Sequence, residues 1–134
     1  MKKRLILFTV LLLSSIGSQA HSFDICEEAA KGLTVSLVEF NQYFNSSLKN
    51  HNAAGHGKIR DVFPTGNSNE YLLVLDCGNN VLLRMTSGSG VLQNLKAGQE
   101  VSFSAEVREW RKRFFKDMES WYIEIIFGNS HITY

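Results

Sequence analysis

Val101-Ser102-Phe103-Ser104-Ala105-Glu106-Val107 alternates apolar and polar residues without a break. Twenty residues further on, Trp121-Tyr122-Ile123-Glu124-Ile125-Ile126-Phe127 repeats the pattern, with Trp121, Ile123, Ile125 and Phe127 on one side. A period of two is the mark of a strand with one face on a core. Between the two runs lies Arg108-Glu109-Trp110-Arg111-Lys112-Arg113-Phe114-Phe115-Lys116-Asp117-Met118-Glu119, which carries five cations and three aromatic residues. The reading is a long hairpin from Gly98 to Phe127 with a basic, aromatic tip at 108–119.

Upstream of this hairpin, Glu70 to Cys77 alternates as a strand, Gly78-Asn79-Asn80 is a tight turn, and Val81 to Thr86 runs back. That hairpin is apolar on both sides, which predicts burial on both faces near its middle. Gly57 to Phe63 predicts a further strand, ended by Pro64 and the polar loop Thr65-Gly66-Asn67-Ser68-Asn69. Ser87-Gly88-Ser89-Gly90 is a connector, and 91–97 predicts one helical turn. Before the strands, Ile25, Ala29, Leu33, Leu37, Phe40, Phe44 and Leu48 form an apolar stripe at helical spacing. Asp24 and Glu27 have capping-box spacing, so a helix is expected over 24–49, with Gly32 as the place where it would break into two. The aromatics Phe40, Tyr43 and Phe44 are expected in the core.

The first twenty residues read as a secretory leader. Lys2, Lys3 and Arg4 form its basic start, Leu5 to Leu13 its apolar segment, and Ser18-Gln19-Ala20 a small-residue cleavage site. The apolar segment is too short to span a bilayer. Cleavage after Ala20 leaves 21–134 as one domain of 114 residues, with its strands over about 55–128. Eleven cations then stand against thirteen acids, a net charge of −2, so binding by bulk positive charge is excluded. A periplasmic or secreted location is oxidising, and Cys26 and Cys77, the only cysteines, are expected to pair.

One strand, a hairpin, a connector and a long hairpin follow the strand order of an OB-fold, so the expected class is mainly β with an N-terminal α-helix and a five-stranded OB-fold-like barrel. The helix leading through Tyr43 and Asn45 into Gly57-Lys58-Ile59 strengthens this. So do the strand ending in Cys77 and the entry Leu95-Lys96-Ala97-Gly98-Gln99-Glu100-Val101-Ser102-Phe103. These segments resemble the tRNA-anticodon-binding-domain-like OB family over roughly residues 38–127. The resemblance implies a small exported bacterial protein, and it carries no family-wide catalytic residues.

OB-folds bind oligomers across strands two and three and the loops at their ends. The expected ligand-binding residues are therefore Lys58, Arg60, Arg108, Trp110, Arg111, Lys112, Arg113, Phe114 and Lys116, with cations tracking phosphates and rings stacking on bases. The ligand would be single-stranded nucleic acid or another polyanion. The alternative is a protein-interaction module of the envelope or outside it, an adaptor, inhibitor or assembly subunit, because Arg and aromatic residues also favour protein interfaces. An enzyme is not expected: Asp61, Glu70 and Asp76 fall on different strands, and no nucleophile stands beside a base. His51 and His56 alone do not make a metal site, so neither metal nor cofactor is expected.

Overall fold

The computed structural model describes residues 23–67, 70–87 and 95–133. The leader expected at 1–20, and most of the helical turn expected at 91–97, lie outside these residues. The fold is mainly β. A helical segment leads into five strands, β1 (Asn52–Pro64), β2 (Tyr71–Gly78), β3 (Val81–Ser87), β4 (Glu100–Phe115) and β5 (Ser120–Thr133). They close into a ring in the order β1-β2-β3-β5-β4. All neighbours are antiparallel except β3 and β5, which run parallel.

The helical segment is not one helix over 24–49. It comprises α1 (Ile25–Ala30), a 3-10 turn at Lys31–Leu33, α2 (Leu37–Tyr43) and a wider π turn at Phe44–Leu48. Asp24 caps α1 by accepting from the Cys26 and Glu27 amides at 3.0 and 3.4 Å. Ser36 caps α2 by accepting from the Glu39 amide at 3.1 Å. The break falls at Gly32 for a packing reason. A Cβ there would stand 2.9 Å from Ile123 Cδ1 and 3.1 Å from a Phe40 ring carbon. Glycine is thus required where the helical segment presses closest on β5.

β1 begins at Asn52, five residues before the expected start, and absorbs most of the loop foreseen at 50–57. Alanine and glycine are weak strand formers, and pairing with β4 overrides that preference. Residues 52–58 of β1 lie opposite 106–100 of β4, after which β1 turns to β2 through a bulge between Ile59 and Asp61. Lys58 is the pivot, opposite Asp76 on one side and Glu100 on the other. The β2–β3 turn is made by Asn79 and Asn80, with φ of 56° and 61°. A two-residue hairpin loop needs that conformation, and asparagine tolerates it.

Side chains that point into the ring form one core: Ile59, Leu73, Leu75, Val81, Leu83, Met85, Val101, Phe103, Ala105, Val107, Ile123, Ile125 and Phe127, joined by Ile25, Ala29, Phe40, Phe44 and Leu48 from the helical segment. Val74 and Leu82, on the other side of β2 and β3, are buried as well, so the two-sided burial expected for that hairpin is present. Cys26 and Cys77 form a disulfide with Cα atoms 5.8 Å apart, tying α1 to the end of β2. Closing the 51-residue separation is worth about 4 kcal/mol in the chain-entropy account. Cys26→Ser/Cys77→Ser should therefore lower unfolding free energy by about 2–5 kcal/mol in urea titrations under non-reducing conditions.

Glu28 of α1 joins the two helices: it accepts from Lys31 Nζ at 2.8 Å and from the Tyr43 hydroxyl. These bonds, the Lys31 one foremost, hold its carboxyl below the ordinary range. A lowered folded-state value means that the stabilisation is complete above the unfolded carboxyl's range. It is lost as pH falls through the folded value. Glu28→Gln should remove this part of the acid sensitivity, read as a smaller fall in urea midpoint between about pH 6 and about pH 3.

Candidate binding face on the strand ring

The tip expected at 108–119 is mostly strand. β4 and β5 stay paired out to Phe115 and Ser120, and only Lys116–Glu119 turns. Two consequences follow from the pleat. A bulge between Val107 and Glu109 resets the alternation, and from there successive residues of β4 point to opposite faces. The basic and aromatic residues of this arm are thus sorted into two sets rather than gathered at one tip.

Trp110, Lys112 and Phe114 belong to the inner set, continuous with the core. Trp110 packs edge-on against Phe40, with ring centroids 4.8 Å apart, and its indole N–H donates to Asn41 Oδ1 at 2.9 Å. These contacts tie β4 to α2. Lys112 reaches the Gly32 carbonyl at 3.5 Å. Phe114 meets Trp121 edge-on at 5.5 Å. Arg108 is the extra residue of the bulge and pairs with Glu106 at 2.9 Å. Lys116 lies exposed in the turn.

Arg111 and Arg113 belong to the outer set, and the register joins them to residues far away in sequence. One rung runs Lys58, Asp76, Leu82, Glu124, Arg111 across all five strands. The next runs Asp61, Val74, Arg84, Ile126, Glu109. Arg60, the unpaired residue of the β1 bulge, extends its guanidinium to within 2.9 Å of Met118 Sδ, so the β4–β5 turn comes back over β1. Lys58, Arg60, Arg84, Arg111 and Arg113 are therefore brought to one face. Two rings stand with them: Phe115 lies edge-on to Tyr122 at 5.4 Å, and the Arg113 guanidinium sits 5.1 Å from the Phe115 centroid.

Glu124 stands at the centre of this face. It is the one charged residue buried among those described, at 1% exposure. Its two oxygens accept from Arg84 and from Arg113, each at 3.2 Å. A lone carboxylate there would bear a desolvation penalty that the two guanidiniums offset. The trio as a unit carries one positive charge. Both arginines remain partly open to solvent, with side chains 30% and 47% exposed, so donors are left for a further acceptor.

Arg84, Glu124, Phe115 and Tyr122 escaped the sequence reading of the site. Continuing the two-residue period through 109–115 would have grouped Arg111, Arg113 and Phe115 and set Trp110, Lys112 and Phe114 apart. Arg84 carries only a weak local signal, as the single charge in β3. His56 lies in β1 rather than in a loop, and among the described residues no three His, Cys, Asp or Glu side chains gather as metal ligands do. Compared with known protein families and with curated proteins, the sequence finds no match.

Truncating either arginine of the trio leaves Glu124 one partner, whereas truncating both leaves a buried carboxylate with none. Arg84→Met/Arg113→Met should lose about 3–5 kcal/mol in urea denaturation, more than the two single variants together. Adding Glu124→Leu to the double variant should recover most of that loss.

Proposed function

We propose that the protein is an exported, non-catalytic binding protein of the OB-fold type, whose outer sheet face holds single-stranded nucleic acid or a similar polyanion. The OB assignment is supported by the ring order, by the parallel β3–β5 pair, and by a first strand shared between β2 and β4. In that fold the outer side of strands two and three and the loop between strands four and five receive the ligand. Membership in the tRNA-anticodon-binding-domain-like group agrees with the same features. Export agrees with the leader-like start and with the Cys26–Cys77 disulfide, a bond suited to an oxidising compartment.

The observation that carries the reading is the convergence of Lys58, Arg60, Arg84, Arg111 and Arg113 from three strands onto one face with Phe115 and Tyr122. Guanidiniums and an ammonium neutralise successive phosphates, and rings of this kind stack on exposed bases. Asp61, Asp76 and Glu109 on the same face limit the field, which favours a ligand that adds stacking to charge. The face offers hydrogen-bond donors, rings and a carboxylate neutralised by two guanidiniums. Such groups bind and orient a ligand.

Fluorescence anisotropy of a labelled single-stranded oligonucleotide tests the reading. Saturable binding should weaken with salt along a log–log slope of roughly −3.5 for five phosphate contacts. Arg111→Ser and Lys58→Ser, at positions outside the buried trio, should each make the slope shallower by about 0.7. Tyr122→Leu should weaken binding by about 1–3 kcal/mol with the slope unchanged. Absence of binding at low salt would overturn the polyanion reading.

A further inference from the structure

The inner face of the β4–β5 arm outruns the helical segment that covers it. Trp110 lies under α2, and Ile123 lies under the turn at Gly32. The next pair outward, Phe114 and Trp121, is left 49% and 53% exposed. Leu37, at the start of α2, faces the same gap with 54% exposure. The result is an open cleft of about 540 Å³ lined by Leu33, Leu37, Lys112 and Trp121. Its volume falls within the range of small-molecule sites.

Lys112 decides what the cleft suits. Its side chain enters from the strand side, partly buried, and among the described residues its ammonium hydrogen-bonds only the Gly32 carbonyl, at the long distance of 3.5 Å. No acidic side chain among the described residues pairs with it. An ammonium has three donors, and one held beside leucine and tryptophan side chains gains most from an anion brought to it with little water. The rest of the lining is apolar. A peptide would carry amides for which these side chains offer no partner besides the same ammonium. An alkyl chain ending in one anionic group needs nothing more than the cleft provides.

We propose that this cleft is a binding site for a long-chain alkyl carboxylate. The chain lies over Leu33, Leu37 and Trp121, and the carboxylate accepts from Lys112 Nζ. The site is on the opposite face of the arm from Arg111 and Arg113, so it stands independently of polyanion binding.

Titration with dodecanoate below its micelle concentration, followed by tryptophan fluorescence, tests the proposal. Burial of Trp121 should shift its emission to the blue, and Trp121→Phe, at an exposed position, should abolish the signal. Affinity should rise roughly tenfold for each two methylenes added until the cleft is filled. Dodecanoate should bind about tenfold tighter than dodecanol, and Lys112→Met should erase that preference while leaving dodecanol binding in place. Because Trp121→Phe removes the reporter, isothermal calorimetry on that variant gives a second readout, in which dodecanoate binding weakens several-fold. The proposal is overturned if dodecanoate does not bind, if acid and alcohol bind alike, or if only peptides with an apolar C-terminal residue bind.

Discussion

The antiparallel pairing of β4 with β5 is the constraint on which the rest of the molecule depends. It supplies core residues from both strands through the ring and then continues past the end of β3, from Arg113 opposite Tyr122 to Phe115 opposite Ser120. Within the ring, the side chains on one side are enclosed by the other strands. Beyond it the same two faces persist without that enclosure. The arm therefore presents an apolar underside and a cationic outer side, each the extension of a face defined inside the ring.

The two faces solve opposite problems. On the outer side the cost is electrostatic, because guanidiniums gathered on one sheet face repel one another and Glu124 is withdrawn from water. The Arg84–Glu124–Arg113 arrangement meets both difficulties at once: the carboxylate spaces the arginines, and they in turn keep it paired. On the inner side the difficulty is apolar exposure. The helical segment covers the first part of the underside by packing Phe40 and Phe44 against Trp110, and it ends before Phe114 and Trp121.

That helical segment is itself held in place by few and specific contacts. Gly32 permits its close approach to Ile123, Glu28 links its two helices, and the disulfide fastens α1 to β2. Helices of six and seven residues are too short to persist alone. Their order derives from the ring beneath them.

Much of this was legible in the residues. The alternation at 101–107 and 121–127, the asparagine turn at 79–80, the cap at Asp24, the break at Gly32 and the pairing of the two cysteines are local or compositional signals, and the structure shows each of them. Two features were not legible. The strand at 52–56, made of alanine, glycine and histidine, exists because β4 lies beside it. The division of the 108–116 cluster needed the bulge at Arg108 and the distance over which pairing continues, and both are set by the partner strand. Sequence alone thus determined the centres of the strands, where the chain turns between β2 and β3, and which cations are available. Tertiary structure decided which of those cations meet. Register is a property of two chains of atoms at once, and one bulge sends alternate neighbours to opposite faces.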